Sequence, residues 1–101
     1  MNNVEILLNK ILKRLSTVID PETGIDVIRM KLVINLNVDS DGKVTYDFRP
    51  SSPLCPIAAP LALDIIQAIS EVPGVTKQAI NVVDYIDADQ LNITLKAFLH
   101  K

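Results

Sequence analysis

The sequence predicts an α+β fold: a two-layer α/β sandwich in the order helix, strand, strand, helix, strand, helix, with a small three-stranded mixed sheet. Two runs of alternating apolar residues, 32–38 and 44–48, are joined by a short link containing Asp and Gly, and they predict an antiparallel hairpin. A long apolar helix then connects the second strand to the third, and a crossover of this kind makes those two strands parallel. The chain has 101 residues, 49% of them hydrophobic, which suits a single domain over residues 1–101.

The first helix is predicted over residues 4–18, where apolar side chains recur at steps of four and three. These side chains are Val4, Leu8, Ile11, Leu15 and Val18. The helix is expected to stop at Ile19, because Asp20 precedes Pro21 and a proline disfavours the helical conformation of the residue before it. Residues 20–24, Asp-Pro-Glu-Thr-Gly, then predict a turn.

The later elements follow from composition and spacing. Residues 50–56, Pro-Ser-Ser-Pro-Leu-Cys-Pro, predict a rigid loop. A helix is expected from the end of this loop to near Val72, and only a narrow polar stripe interrupts its apolar surface, so it is buried on more than one side. The β-branched segment 75–83 predicts the third strand. Residues 91–99 fit a helix or a strand, and the segment 87–90, which resembles a capping box, favours the helix.

Composition and charge exclude several classes of function. The formal net charge is -2 and no basic run is longer than Lys13-Arg14, so nucleic acid is not an expected partner. No apolar stretch approaches the roughly 20 residues of a membrane span, and the N-terminal segment does not resemble a signal peptide. A single cysteine cannot form an internal disulfide. We therefore expect a cytoplasmic protein that does not bind membranes.

Most catalytic signatures are absent from the sequence. It has no glycine-rich phosphate loop, no Gly-x-Ser-x-Gly elbow and no paired Cys-x-x-Cys, and its one histidine, His100, is next to the end of the given chain. We interpret His100 as a residue of the frayed end rather than as a base. The absence of these signatures argues against most classes of enzyme and leaves Cys55 as the main candidate for chemistry.

Cys55 has the clearest potential for chemistry. It is where the proline-rich loop meets the second helix, and the free amide groups and the dipole at a helix start favour a thiolate, the form that binds metal or attacks electrophiles. The alternative is a small buried hydrophobe, the usual environment of a lone cysteine. Pro60 lacks an amide hydrogen and predicts an irregular first turn in a helix that begins at Pro56. The residue pattern leaves both interpretations of Cys55 open.

Acidic residues form two further candidate groups. Asp20 and Glu22 are two residues apart in the predicted turn, where they can bind iron or a basic group of a partner, or Asp20 can simply accept backbone hydrogen bonds. The second group, Asp84, Asp87 and Asp89, lacks the glycine and the distal glutamate of an EF-hand. We interpret this second group as a solvated loop and a helix cap.

Four segments together resemble a known family. They are residues 20–27 (Asp-Pro-Glu-Thr-Gly-Ile-Asp-Val), Leu32-Val33, residues 52–56 (Ser-Pro-Leu-Cys-Pro) and residues 73–75 (Pro-Gly-Val). In this order, with a hairpin between the turn and the Cys-Pro junction, the chain resembles the SufT/PaaD-like domain family. That family includes SufT, the PaaD protein of phenylacetate degradation and eukaryotic cytosolic iron-sulfur targeting factors. The resemblance covers about two thirds of the chain, from residue 15 to residue 83.

The resemblance implies a role in iron-sulfur protein maturation: late assembly, transfer or targeting of clusters to client enzymes. It places Cys55 at the family's reactive cysteine, and Asp20 and Glu22 at its acidic turn, so these three are the implied metal ligands. The implied binding residues surround the cysteine, and they are Arg49, Ser52, Pro53 and Pro56. The implied partners are iron-sulfur assembly proteins and client apo-proteins.

The implied cofactor is an iron-sulfur cluster or iron, held transiently, and the alternative is that the isolated protein holds none. A cluster usually takes four thiolates, so one cysteine needs further ligands. These can come from a second copy in a homodimer, from Asp20 or Glu22, from a small thiol or from a client. Two other functions remain open. One is a metal-free adaptor that recruits clients and keeps Cys55 buried, and the other is a cysteine-dependent redox enzyme, which here lacks a histidine base and a resolving cysteine.

The chain departs from the family pattern at two places. Members commonly carry glycine directly before Leu-Val, whereas this chain has Lys31, so a different backbone geometry is expected there. Members often carry threonine shortly before the cysteine motif, whereas this chain has Arg49 and Pro50. Arg49 brings a positive charge close to Cys55 in sequence, which favours the thiolate.

Overall fold

The structure is a computed structural model that describes residues 3–99. Its elements are α1 (Asn3–Leu15), β1 (Ile19–Asp20), β2 (Ile25–Asp26), β3 (Val33–Val38), β4 (Lys43–Phe48), α2 (Ala58–Ser70), β5 (Lys77–Val82) and α3 (Ala88–Leu99). The main sheet has the order β3-β4-β5, with β3 antiparallel and β5 parallel to β4. The predicted α+β fold and its mixed sheet are confirmed, and the last segment is a helix. The short antiparallel pair β1-β2 was not predicted.

One face of the main sheet is buried and the other is open. Along β4 the side chains of Val44, Tyr46 and Phe48 are buried, whereas the neighbouring Lys43 and Thr45 are exposed. The buried side chains join α1 and α2 in one hydrophobic core. α2 supplies a large part of this core, as its apolar pattern predicted, through Ala58, Leu61, Ala62, Ile65, Ile66, Ala68 and Ile69. Each fully buried Leu or Ile of this set contributes about 1.5–3 kcal/mol relative to an exposed one.

α1 ends at Leu15, three residues before the predicted end. The next residues form a turn, in which the Thr17 N–H donates to the Arg14 carbonyl at 3.1 Å. The Val18 carbonyl accepts a hydrogen bond from the Val27 N–H at 3.0 Å, which extends the β1-β2 pairing toward the helix. Pairing with Val27 therefore places Val18 outside the helix to which the apolar spacing alone assigned it.

α2 begins at Ala58, two residues later than predicted. Pro60 is consequently the third residue of the helix, a position whose N–H has no partner within the helix in any case. The irregular first turn expected from Pro60 is therefore not needed. Cys55 precedes the helix by three residues instead of starting its first turn.

Three residues other than glycine adopt left-handed backbone conformations within residues 3–99: Lys31 (φ 57), Asn35 (φ 54) and Asp84 (φ 53). At Lys31 the chain takes the conformation that glycine adopts without strain. The glycine-like geometry is thus retained, and the lysine bears the strain. Asn35 is at an irregularity in the β3-β4 register.

None of the helices within residues 3–99 is long and apolar enough to cross a bilayer.

Candidate functional site

The segment 20–24, called the acidic turn below, is set by hydrogen bonds to Asp20. The Asp20 Oδ1 atom accepts the Glu22 N–H at 2.8 Å, and the Asp20 carbonyl accepts the Gly24 N–H at 2.8 Å. Gly24 has a φ of 71°, a left-handed conformation that closes the turn without strain. The backbone-bonding role that the sequence left open for Asp20 is therefore present in the structure.

The two carboxylates of the acidic turn differ in accessibility. Asp20 is 1% exposed and is the one charged residue among residues 3–99 that is buried. Glu22 is exposed. A partner or a metal ion approaching the folded chain can therefore reach Glu22 directly, whereas Asp20 first has to be uncovered.

The segment 49–56, called the cysteine loop below, holds the chain's one thiol against the core. Cys55 is 3% exposed and belongs to the hydrophobic core cluster. The Cys55 N–H donates to the Ser52 carbonyl at 3.1 Å, and the Leu54 N–H donates to the Ser52 hydroxyl at 3.2 Å. The residues beside the cysteine, Leu54 and Pro56, are exposed. The loop is thus at the surface, and its thiol is turned inward.

A segment about 30 residues away along the chain contacts the cysteine loop. The Tyr85 hydroxyl donates to the Cys55 carbonyl at 3.3 Å. The Ile86 N–H donates to the Pro53 carbonyl at 2.9 Å. Sequence reasoning missed both Tyr85 and Ile86, because it took the segment around Asp84 and Asp87 for a solvated loop. No local pattern in the sequence links these two segments.

Arg49 forms an ion pair with Asp84 of that same distant segment. Its Nε atom is 3.3 Å from the Asp84 Oδ2 atom, and the two side chains are 59% and 68% exposed. The backbone N–H of Arg49 donates to the Leu32 carbonyl at 2.7 Å. Its charge, predicted to favour a Cys55 thiolate, is therefore shared with a carboxylate partner. The thiolate role stays a prediction.

The candidate ligands do not form a complete metal site in this conformation. Among residues 3–99, no three Asp, Glu, His or Cys side chains are grouped so that they can hold a metal ion. Cys55, Asp20 and Glu22 therefore remain candidate ligands that need groups from elsewhere. The binding roles of Ser52, Pro53 and Pro56 likewise stay predictions, and His100 lies outside the described residues.

An apolar patch accompanies the cysteine loop. Leu54 is 69% exposed and Ile86 is 68% exposed, the highest values among the large apolar residues of the described chain. The segments that carry them are joined by the hydrogen bond between Ile86 and Pro53. Exposed apolar side chains on joined segments are typical of surfaces that contact other proteins.

Tyr46 belongs to a buried polar network elsewhere in the core. Its hydroxyl is 2.9 Å from the Gln78 Oε1 atom, and the Gln78 Nε2 atom donates to the Ile66 carbonyl at 2.9 Å. Burial raises the pKa of the Tyr46 hydroxyl well above its ordinary value, so it stays protonated as a donor. This network ties β4, β5 and α2 together and is structural.

Known proteins match this chain over most of its length. A family model described as iron-sulfur cluster assembly protein matches residues 8–82. An uncharacterized protein of Methanocaldococcus jannaschii is 30% identical over 85% of this chain and 90% of its own length. The Fe-S protein maturation auxiliary factor SufT of Staphylococcus aureus is 35% identical over 65% of this chain and 75% of its own length. A crystal structure of a domain of unknown function, DUF59, from Bacillus anthracis matches with a TM-score of 0.71 and 27% identity, over 91% of this chain and 93% of that one. The chain therefore belongs to the iron-sulfur cluster assembly protein family, of the SufT/PaaD-like type that its motifs resemble.

Proposed function

We propose that the chain is an assembly, transfer or targeting factor for iron-sulfur clusters that uses Cys55 as a transient ligand of iron or of a cluster. Membership of the family gives it a role in iron-sulfur cluster assembly or maturation. The ligand role of Cys55 is proposed from one observation: the only thiol of the chain is in a surface loop, between the exposed residues Leu54 and Pro56. One thiolate cannot enclose a cluster, which suits transfer better than storage.

The remaining ligands come from outside the chain in this proposal. Asp20 is buried and engaged in the acidic turn, so Glu22 is the better placed carboxylate. A second copy of the chain, a small thiol or a client protein supplies the rest. The partners are iron-sulfur assembly proteins and client apo-proteins, and the homodimer is one arrangement that brings two Cys55 thiolates together.

We also propose a binding factor rather than an enzyme, working in the cytoplasm. The sequence holds one cysteine and one histidine, so Cys55 has neither a resolving thiol nor an obvious base. A reducing compartment keeps such a lone thiol free for metal.

A metal-free adaptor is the second candidate. It is favoured by the burial of the Cys55 thiol and by the exposed side chains of Leu54 and Ile86. In that case the apolar patch recruits clients, and the thiol is a core residue.

Anaerobic reconstitution with iron and sulfide tests the leading proposal, with wild type compared with Cys55→Ser. We expect visible absorption, less than one iron per chain and dimerisation in the wild type, all lost in the serine variant. Cys55→Ala serves as the control for packing, because alanine fits a buried apolar site better than a hydroxyl.

A parallel assay measures the activity of iron-sulfur enzymes in extracts of cells that carry each variant in place of the natural gene. Loss of these activities in both Cys55 variants supports the thiol ligand, even if the isolated protein stays colourless, because partners then complete the site. Full activity with both Cys55 variants contradicts the leading proposal and supports the adaptor.

A further inference from the structure

Three consecutive residues, about 30 positions further along the chain, hold the cysteine loop. Asp84 pairs with Arg49 at 3.3 Å, Tyr85 donates to the Cys55 carbonyl at 3.3 Å, and Ile86 donates to the Pro53 carbonyl at 2.9 Å. The preceding residue, Val83, still belongs to the sheet register, because its N–H donates to the Phe48 carbonyl at 3.0 Å. The segment 84–86 is therefore anchored at one end by the sheet and makes its contacts with the cysteine loop beyond that anchor.

Two of these three contacts are weak, and the third, from Ile86 to Pro53, is a single backbone hydrogen bond of ordinary length. The Arg49–Asp84 pair is mostly exposed, and ion pairs of this kind contribute little because water screens them. The Tyr85 hydrogen bond is long for an O–H donor. By contrast, the residues that form the core beneath the loop, such as Phe48 and Ile65, are fully buried.

Backbone strain is stored where the segment leaves the sheet. Asp84 has a φ of 53°, a left-handed conformation that Asp adopts more readily than most residues other than glycine but still at some cost. Release of the contacts allows Asp84 to return to an ordinary backbone conformation. Strain at this position thus favours opening.

The burial of Cys55 makes such an opening necessary for the function proposed above. A thiol that is 3% exposed cannot coordinate metal held by another protein until its surroundings move. We propose that Asp84, Tyr85 and Ile86 form a latch that positions Cys55, and that release of this latch exposes the thiol to its metal cargo. These three are positioning residues, and the proposal rests on the function proposed for Cys55.

The rate at which Cys55 reacts with a small aromatic disulfide reagent, under native conditions, measures latch opening directly. Tyr85→Phe removes one hydroxyl and should raise the labelling rate by about 2-fold, the lower end of what one hydrogen bond contributes, because this bond is long. Asp84→Asn keeps a residue that tolerates the left-handed backbone and removes the ion pair, so it should raise the rate by about 2-fold. The double variant should show the product of the two factors.

Salt provides a second measurement on unaltered protein. Raising the salt concentration screens the Arg49–Asp84 pair and should speed the labelling of wild type. The same salt should have no such effect on Asp84→Asn. An equal response of the two proteins would contradict the part assigned to Asp84.

Tyr46→Phe is the matched control, because it removes the hydroxyl of the other tyrosine, which bonds to Gln78 and not to the cysteine loop. It should lower global stability and leave the native labelling rate of Cys55 unchanged. If Tyr46→Phe accelerates labelling as much as Tyr85→Phe does, the thiol reacts through global unfolding and the latch is wrong. Unchanged labelling in both Tyr85→Phe and Asp84→Asn also overturns it.

The latch and the function of Cys55 can fail separately. Full activity of iron-sulfur enzymes in cells with Cys55→Ser contradicts the function, whatever the labelling rates are. Loss of that activity together with unchanged labelling in the latch variants leaves the function in place and removes the latch. If the latch and the ligand role of Cys55 are both correct, iron uptake on reconstitution should be faster in Tyr85→Phe by the same factor as labelling.

Discussion

In the acidic turn the Glu22 N–H donates to the Asp20 side chain two residues away, whereas the Tyr85 hydroxyl that donates to Cys55 in the cysteine loop is 30 residues away. The turn is closed by Asp20 and by Gly24, which needs no help from the rest of the fold to take its φ of 71°. The cysteine loop has local hydrogen bonds to Ser52, but a distant segment also holds it through contacts to Arg49, Pro53 and Cys55. Both motifs are equally distinctive in sequence, yet the first is determined locally and the second depends partly on tertiary contacts.

This difference suits the work proposed for the two regions. A turn built from its own residues keeps its shape whatever binds nearby, so Glu22 stays in a constant position at the surface. A loop held by weak distant contacts can change its exposure at little cost in global stability. The acidic turn is therefore a fixed element, whereas the Cys55 thiol can move.

Asp20→Ala should have the largest effect, because it removes the buried acceptor that orders the acidic turn. We expect a loss of about 2 kcal/mol in the free energy of unfolding, typical of a hydrogen bond to a charged group. Urea unfolding followed by circular dichroism measures it. Asp20→Asn keeps a side-chain oxygen at the same place and should lose clearly less. An equal loss in the two variants would mean that the charge, not the acceptor, holds the turn.

The two tyrosines allow the cysteine loop to be compared with the core. Tyr46→Phe leaves the Gln78 Oε1 atom without its donor and should lower the free energy of unfolding by about 1–2 kcal/mol. Tyr85→Phe should lower it by less than about 0.5 kcal/mol, because the phenol is only part-buried and its hydrogen bond is long. A larger loss for Tyr85 than for Tyr46 would show that the cysteine loop is a stability element and not a releasable one.

The same contrast explains which features the sequence could predict. Alternating and helical spacing predicted the first two helices and the β3-β4 hairpin, because those patterns reflect burial directly. The third strand was predicted from β-branched composition, and the resemblance of residues 87–90 to a capping box decided the last helix. The acidic turn was also predicted, since Pro21 fixes one backbone angle and Gly24 permits a left-handed one.

The missed features depend on backbone pairing and contacts that side-chain spacing does not encode. α1 ends early because Val18 pairs with Val27, and the cysteine loop is held by Tyr85 and Ile86. The burial of Cys55 could not be decided from spacing, because the loop's apolar and polar neighbours fit either orientation. Motif resemblance located the candidate site, but only coordinates show that its thiol is turned inward.

Gly24→Ala tests whether the acidic turn is as unstrained as it looks. Nothing lies within 4 Å of the added methyl group, so the whole effect comes from the φ of 71°. We expect a loss of about 1 kcal/mol from placing a side chain in the left-handed region. Gly42→Ala is the control with a steric clash, because its added methyl would overlap the Gly74 carbonyl oxygen, and it should lose much more. Equal losses of stability in the two variants would indicate that Gly24 is as crowded as Gly42.

Lys31→Gly tests the backbone beside the cysteine loop, and its effect on stability should have the opposite sign. Lys31 has a φ of 57°, and the next residue, Leu32, accepts the Arg49 N–H at the start of that loop. Glycine relieves about 1–2 kcal/mol of left-handed strain but adds conformational entropy to the unfolded chain, which offsets roughly half of it. The free energy of unfolding should therefore rise by about 0.5–1 kcal/mol in urea titrations. Lys31→Ala, which keeps the strain and removes only the exposed amine, should leave stability nearly unchanged. If alanine stabilises as much as glycine, the benefit comes from removing a charge, and the strain beside the cysteine loop is confined to Asp84.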